Sequence, residues 1–301
     1  MQEVKGVGHV MSKRFLFFAI FLLTAIFFLP RSAVAMTASV ENGKKIYDVH
    51  CFQCHGFEGR GDGSAATYLA RRPRDFTDGL YKLKTSPPNV SRVRDEDIYH
   101  AISNGMSSAG MPPWKNILSA QERWDLVAYL KSLTDLFDDT ENPPPLNISG
   151  RIPYSKESVQ RGEMAYRELK CPECHGPLGE GPPKKELKDD YGQRIWPRDL
   201  TRSWTFIGPY TPQAMYARIT NGIPLTPMPA HVLPVFKDKL EGMRWDVVNY
   251  IMWLADTAEK RRAKQRMIIS IIILVSLAVT APYYIPYLRR RWAIRKIGRR
   301  S

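Results

Sequence analysis

Cysteine is scarce in this chain, with 4 cysteines in 301 residues, and none lies outside two short units. The units read CFQCH at residues 51–55 and CPECH at residues 171–175. Strand-like alternation is missing before either unit, which excludes the βαβ setting of a thioredoxin-like dithiol. The glycine-rich stretches after the units lack the G-K-[ST] of phosphate-binding loops, so we interpret them as ordinary loop glycines.

The histidine that closes each unit separates three interpretations. A C-x-x-C pair can be a redox dithiol, half of a structural zinc site or, with His directly after it, an attachment site for c-type haem. A zinc site would need the two pairs to meet across about 115 residues and would leave both histidines without a role. We therefore expect two covalently attached haem c groups. Their predicted anchors are Cys51, Cys54, Cys171 and Cys174, and their predicted proximal iron ligands are His55 and His175.

Charged residues are absent from residues 267–288, MIISIIILVSLAVTAPYYIPYL. At about 1.5 Å per residue this stretch is long enough to cross a bilayer, and a buried core helix is the alternative. We predict a single transmembrane helix, with Pro282 and Pro286 making its last turns irregular. Basic residues number five just before it and seven after it, which favours a cytoplasmic tail at residues 289–301.

The N-terminal region resembles a targeting segment. A basic start and an apolar run follow Met11, a candidate start, and AVA at residues 33–35 offers a cleavage site. We predict a signal peptide over residues 1–35, with an uncleaved anchor as the alternative. Export would place the haem sites on the periplasmic side of a bacterial cytoplasmic membrane. This agrees with the prediction that the tail after the membrane helix is cytoplasmic.

The formal net charge of +14 does not indicate nucleic-acid binding. Residues 36–258 carry 28 Lys and Arg against 28 Asp and Glu, so the excess lies in the two ends. Basic residues beside a membrane helix suit anionic lipid, and we expect a membrane and no nucleic acid among the partners.

The body of the chain contains one pattern twice. We expect two domains, residues 36–137 and 158–258, joined by a polar, proline-rich linker at residues 138–157. Apolar residues at helical spacing open and close each unit, which predicts an all-α fold with long loops between the helices. The paired landmarks are Cys51 with Cys171, Met111 with Met228, and Trp124 with Trp245.

Each unit resembles a class I cytochrome c domain. The resemblance rests on C-x-x-C-H after an amphipathic helix, a downstream Met-Pro, and a terminal helix with RWD, and it covers about residues 38–257. It implies tandem all-α domains whose first and last helices cross at Gly43 and at Gly162.

A haem iron held by histidine on one side can be closed by a second protein ligand, as in an electron carrier, or left open for substrate, as in an enzyme. Met111 and Met228 each stand six residues after a glycine and directly before proline, and we predict both as ligands. Met106 is the competitor, but its counterpart is Ile223, which cannot ligate iron. His50, His100 and His231 have no counterpart histidine and are expected to be surface or packing residues. Arg74 and Arg198 either bind haem propionates or pair with the neighbouring Asp.

These features predict a membrane-anchored dihaem cytochrome c that transfers single electrons in a respiratory chain and is not itself an enzyme. It resembles the cytochrome c subunit of quinol-oxidising cytochrome bc complexes, whose partners are cytochrome b and Rieske-type subunits. It also resembles dihaem subunits of periplasmic reductases, and no motif chooses between them. A dihaem peroxidase or thiosulfate-oxidising enzyme, with one open haem, is the remaining alternative.

Overall fold

Helices form almost all of the regular structure. The computed structural model describes residues 37–138, 141–148, 150–181, 186–232 and 237–297. The expected signal peptide, residues 1–35, and the last residues of the tail, 298–301, lie outside the described residues. The α-helices described are α1 Val40–His50, α2 Phe52–His55, α3 Asp95–Asn104, α4 Ala120–Lys131, α5 Lys156–Glu168, α6 Pro172–His175, α7 Pro212–Asn221 and α8 Lys237–Ile297. Short 3-10 helices span Ala66–Tyr68, Ser107–Ala109, Asp135–Phe137 and Ser203–Thr205.

In residues 38–137, which we call the first half, α1 packs across α4. Helix α1 begins after Ser39, whose hydroxyl accepts a hydrogen bond from the first turn and caps it. Gly43 and Tyr47 on one face of α1 are buried, as are Leu126 and Leu130 on α4. These residues belong to the predicted apolar stripes, and they hold together one hydrophobic cluster.

In residues 158–258, the second half, α5 packs in the same way across the first part of α8. Gly162 and Tyr166 of α5 are buried, and Trp245 and Val247 of α8 are fully buried. A second hydrophobic cluster surrounds them. The expectation of a mostly helical fold is confirmed.

The helix pairs touch at the two predicted glycines. A Cβ atom built on Gly43 would lie 2.0 Å from the backbone oxygen of Asp125, and one on Gly162 would lie 2.0 Å from that of Asp246. No side chain fits in that space, so each position admits only glycine. The crossings that the resemblance implied are present in both halves.

The aspartate of each RWD segment ties the two helices together. The Asp125 carboxylate accepts hydrogen bonds from the backbone N–H of Ser39 at 2.8 Å and from the Asn42 amide at 2.6 Å. Asp246 instead receives a two-point ion pair from Arg161, at 2.8 and 2.9 Å. Sequence reasoning did not assign this role, although the repeated RWD was a signal for it.

A small β-hairpin corrects the all-α prediction. Strand β1, Leu187–Lys188, pairs antiparallel with β2, Arg194–Ile195, so that Leu187 faces Ile195. The turn is closed by a hydrogen bond from Asp189 N to Gln193 O at 2.9 Å. Two-residue strands are too short for alternation to be visible in the sequence.

The linker at residues 138–157 contacts both halves. The backbone N–H of Leu146 donates to the carbonyl of Thr85 at 2.6 Å in the first half. The side-chain amide of Asn249 in the second half donates to the carbonyl of Ile152 at 3.2 Å. Its described residues therefore lie along the protein surface and are bonded at both ends.

Helix α8 is 61 residues long, or roughly 90 Å, and joins three predicted segments. It runs from the second hydrophobic cluster through the basic stretch at residues 260–266 into the apolar stretch at residues 267–288. The side chains of this apolar stretch are exposed, apart from half-buried Ala281. This helix is long and apolar enough to cross a membrane. The chain stays helical through Pro282 and Pro286, where we predicted irregular turns. Each proline removes one backbone hydrogen bond, but the helix continues past it.

Candidate functional site

Both C-x-x-C-H units fold as one helical turn at the end of a longer helix. Cys51 follows α1, and Cys54 and His55 lie on α2. Residues three and four apart share a helix face, so the two thiols and the imidazole come together on one side. Cys171 and α6 repeat this arrangement after α5.

The thiols do not have the properties of a redox pair or a zinc site. All four cysteines are free. Burial raises the pKa of Cys51 and of Cys171 to about 12, whereas redox-active thiols have a lowered pKa. Among the described residues, which include every cysteine, no group of three or more His, Cys, Asp or Glu side chains is placed to hold a metal ion. The two C-x-x-C pairs therefore do not meet as a zinc site.

A backbone carbonyl orients each histidine. Nδ1 of His55 lies 3.2 Å from the carbonyl oxygen of Arg74, and Nδ1 of His175 lies 2.9 Å from that of Arg198. Since a carbonyl only accepts, Nδ1 carries the proton and donates, which leaves Nε2 as the nitrogen able to bind a metal. Burial lowers the pKa of His55 to about 4 and lowers that of His175, so both imidazoles are neutral at pH 7.

A buried tyrosine holds the loop after each histidine. The Tyr47 hydroxyl donates to the carbonyl of Gly56 at 2.6 Å, and the Tyr166 hydroxyl donates to that of Gly176 at 2.8 Å. Burial raises the pKa of both phenols. The sequence analysis assigned no role to either tyrosine, although each lies on the helix that opens its copy of the repeated pattern, and this repetition was a signal that the hydroxyl has a role.

The two Met-Pro loops sit against equivalent glycines. Gly105 and Gly222 follow α3 and α7 with φ of 64° and 66°. A Cβ atom on either would lie 2.6 Å from the carbonyl oxygen of Met111 or Met228, respectively. Only glycine combines this dihedral angle with this close approach, so each glycine fixes the start of its Met loop.

Each half contains one cavity that collects its predicted ligands. The cavity of the first half, about 130 Å³, is lined by His55 and Met111 but also by Met106. The cavity of the second half, about 510 Å³, is lined by His175 and Met228. The second volume lies in the range of ordinary cofactor pockets and the first below it. All four cysteines line these cavities too.

The first cavity carries bulkier side chains at two equivalent positions. Phe76, whose ring stacks on His55 at 4.4 Å between centroids, corresponds to Leu200. Trp114 corresponds to His231, because their backbone N–H groups donate to the equivalent carbonyls of α3 and α7 at 3.1 and 3.2 Å. Larger residues at these two positions account for part of the difference in volume.

Arginine side chains line the cavities, Arg74 in both and Arg198 in the second. Nε of Arg74 and Nε of Arg198 are buried and have no hydrogen-bond partner. The aspartates that follow them accept hydrogen bonds from Thr77 and Thr201 instead. No ion pair joins either arginine to its neighbouring aspartate within the described residues, so the surface-pair alternative is wrong. A buried donor without a partner calls for an anionic acceptor, such as a carboxylate of a bound group.

Two of the three unrepeated histidines lie beside a cavity. His50 is exposed but lines the first cavity and packs against Trp114, with ring centroids 5.1 Å apart. His231 lines the second cavity, and its carbonyl accepts from Arg244. His100 is exposed and its ring meets Tyr99 edge-on. These contacts are packing contacts.

The donors present fit covalently bound haem. Each half offers two thiols, a neutral imidazole with Nε2 free, a thioether in the same cavity and a buried guanidinium nitrogen without a partner. Such a donor set on a mostly helical fold defines a haem c electron-transfer protein. The family model for cytochrome c matches residues 40–134. The chain belongs to the cytochrome c family.

The chain is similar to subunits of several redox complexes. In a solved reducing HAO-like protein complex of Kuenenia stuttgartiensis, one chain is 34% identical, with a TM-score of 0.64 over 73% of this chain and 97% of that one. The cbb3-type cytochrome c oxidase subunit FixP of Sinorhizobium medicae is 24% identical over 143 residues, 48% of this chain and 41% of its own length. The cytochrome bc1 complex cytochrome c subunit of Corynebacterium diphtheriae is 28% identical over 120 residues, 40% of this chain and 34% of its own length. The chain thus matches less than half the length of either curated relative.

Proposed function

We propose that the chain carries two haem c groups, one in each half, and passes single electrons between protein partners at a membrane surface. The observation that carries this proposal is the repetition of one set of contacts around both C-x-x-C-H units. The histidine–carbonyl, tyrosine–carbonyl and glycine–methionine contacts all occur twice. The cytochrome c family model matches the first half. The solved relative aligns with 73% of the chain, so the alignment must include residues of both halves.

The roles of the residues follow from their chemistry. When bound, haem c supplies a one-electron iron couple, whose potential a methionine sulfur raises. The hydrogen bond from Nδ1 orients each imidazole and makes Nε2 a better donor. In this proposal the covalent anchors are Cys51, Cys54, Cys171 and Cys174, and the iron ligands are His55 with Met111 and His175 with Met228.

The enzyme alternative requires one open iron. A peroxidase or a thiosulfate-oxidising cytochrome would lack a protein ligand at one of its two haems. Matched Met-Pro segments that line both cavities favour a carrier.

The first test is a haem count with an accessibility measurement. The purified full chain in detergent is expected to contain two haems, and adding carbon monoxide to the reduced protein should leave its optical spectrum unchanged. A variant with Cys171→Ala and Cys174→Ala is expected to keep one haem. One haem in the unaltered chain contradicts the proposal, and a carbon monoxide shift in about half of the haem signal favours the enzyme alternative.

We further propose that α8 anchors the protein with both halves outside the cytoplasm and the tail inside. The larger number of basic residues after the apolar span supports this orientation. Arg262 fastens α8 to the second half, since it donates to the carbonyl of Thr201 at 2.7 Å and lies over the Trp204 ring at 4.8 Å. Replacing Leu274 and Leu277 by Arg should release the protein from membranes in carbonate extraction. Replacing both by Ala is the matched control and should not.

The complex to which the protein belongs has two candidates. The Corynebacterium relative names a bc1 complex, which supports a quinol-oxidising partner with cytochrome b and Rieske-type subunits. The Kuenenia relative has higher identity and is matched over nearly its whole length, which supports a reductase partner. Purification of the native complex through a tag on this chain separates them. A co-purifying b-type haem indicates the first, and a co-purifying HAO-like protein indicates the second.

A further inference from the structure

The two cavities share part of their walls. Arg72, Pro73, Arg74 and Lys82 line both of them. All four belong to the loop between α2 and α3, in the first half of the chain. The second cavity is built around His175, yet residues 70–74 and Lys82 of the other half also line it.

This shared wall is strongly cationic. Arg71, Arg74 and Lys82 of the first half and Arg198 of the second all line the second cavity. Burial, together with the charges of Arg74, Arg71 and Arg198, lowers the pKa of Lys82 to about 8, and the charge of Asp189 opposes this shift. Among the described residues, none of the four forms an ion pair with a carboxylate.

Hydrogen bonds across the junction hold these cations in place. Arg198 donates to the hydroxyl of Ser108 at 3.1 Å, and Arg71 donates to the carbonyl of Trp196 at 3.2 Å. The Arg72 guanidinium lies 4.8 Å from the ring centre of Tyr191 at the tip of the hairpin. The hairpin of the second half thus packs against the cationic loop of the first.

The four cations are half-buried, and Asp189, which also lines the second cavity, forms no ion pair with any of them. Withdrawing cations from water without pairing them is costly, so the cluster indicates a missing anionic partner. The planar guanidinium fork suits a carboxylate, which accepts two hydrogen bonds at once. Among the four cations, Nε of Arg74 and Nε of Arg198 are buried and have no hydrogen-bond partner. The haem group carries two propionate carboxylates, and these are the anions that each cavity would bring to the wall.

We propose that Arg71, Arg74, Lys82 and Arg198 form one carboxylate-binding site, shared between the halves, that takes propionates of both haem c groups. The proposal rests on the proposed function, because the carboxylates are those of the two haems. The second haem site is then incomplete without the first half. The charge of the wall also acts on both iron centres together.

The shared wall makes a prediction that separate sites do not. A nearby positive charge favours the reduced iron, which carries one positive charge less, so removing the cation lowers the reduction potential. Lys82 lines both cavities, and Lys82→Met should lower both potentials. Arg71 lines the second cavity only, and Arg71→Gln should lower the second potential more than the first, although Arg71 belongs to the first half. Lys188 is exposed on the hairpin and lines neither cavity, so Lys188→Met is the matched control.

The test is redox potentiometry of the purified full chain in detergent, with haem counted per chain. The two potentials are assigned beforehand with the methionine variants Met111→Ala and Met228→Ala. We expect each affected one-electron reduction constant to fall about tenfold, or about 59 mV, with no change in haem content.

Three outcomes overturn the shared site. They are a single shifted potential in Lys82→Met, an unchanged second potential in Arg71→Gln, and equal shifts in Lys188→Met. Arg71→Gln remains a sufficient test if Lys82→Met does not fold. A haem count of one in the unaltered chain would sink the proposed function instead, so the two failures are distinguishable.

Discussion

Met106 and Met111 face each other across an isolated antiparallel bridge. The N–H of Met106 donates to the carbonyl of Met111 at 2.9 Å, and the N–H of Met111 donates back at 3.2 Å. Directly paired residues place their side chains on the same side, and both methionines line the first cavity. In the second half the N–H of Ile223 donates to the carbonyl of Met228 at 3.2 Å, so that cavity offers a sulfur at only one of the two positions.

The equivalent bonds predict which sulfur binds iron in the first half. Met111→Ala should open the first haem to carbon monoxide and lower its potential, because the loss of a thioether ligand removes its preference for reduced iron. Met106→Ala is the matched control, since it removes a sulfur from the same cavity. Optical spectra with carbon monoxide and potentiometry check both. If Met106→Ala opens the haem and Met111→Ala does not, the assignment is reversed.

The helix crossings predict that the two glycines are intolerant of a methyl group. Gly43→Ala and Gly162→Ala should each destabilise the fold by about 3 kcal/mol or more, because the added Cβ would overlap a backbone oxygen at 2.0 Å. Gly242→Ala is the control, since its Cβ would meet only Ile152 at 3.8 Å and alanine favours a helix. Thermal unfolding followed by circular dichroism measures the difference. Equal stability of all three variants would contradict the close crossing.

The buried tyrosines predict a loss of stability without a change of shape. Tyr166→Phe leaves the carbonyl of Gly176 buried without its donor, and Tyr47→Phe does the same at Gly56. Each should reduce the free energy of unfolding by about 1–3 kcal/mol in guanidinium titrations. Tyr68→Phe is the control because that side chain is 89% exposed and should change nothing. If Tyr68→Phe reduced the free energy of unfolding as much as Tyr47→Phe and Tyr166→Phe do, the prediction would be wrong.

The Asp125 carboxylate predicts a pH-dependent stability. Burial alone would raise its pKa, but hydrogen bonds from Ser39, Asn42 and Gln121 outweigh it and hold the pKa below the ordinary value. A carboxyl with a lowered pKa in the folded state stabilises the protein above its unfolded pKa, about 4, and this stability is lost as the pH falls through the folded pKa.

Asp125→Asn should therefore be less stable than the unaltered protein by about 1–2 kcal/mol at pH 7. Asparagine has one acceptor oxygen, which would serve Ser39 and Gln121, so its amide nitrogen would face Asn42 and could not accept that hydrogen bond. The difference should shrink as the pH falls below about 4. Thermal unfolding of both proteins between pH 3 and pH 7 measures it, and a constant difference over this range would show that the carboxylate charge has no part in the stability.

Much of the site could be predicted because it depends on local patterns. A C-x-x-C-H unit has its chemistry within five residues, and the apolar stripes around Gly43 and Gly162 have helical spacing. Comparison of the two copies also identified Ile223 as the counterpart of Met106, which the equivalent backbone bonds bear out.

The missed features depend on contacts distant in the chain. The carbonyl that orients His55 comes from a residue 19 positions later, and that for His175 from one 23 positions later. Nothing local marks a backbone oxygen for such a role, since every residue has one. The two-residue strands of the hairpin are likewise too short to show a period.

The sequence by itself determined the family, the mostly helical fold, the two C-x-x-C-H units and the apolar span, since each follows from short-range composition and spacing. Only the tertiary structure decided that one cationic wall serves both cavities. Arg71 and Arg198 are 127 positions apart, and they line one cavity because the hairpin of the second half packs on the loop of the first. Burial and the packing of distant segments determine which charges act together, and neither is encoded at any single position.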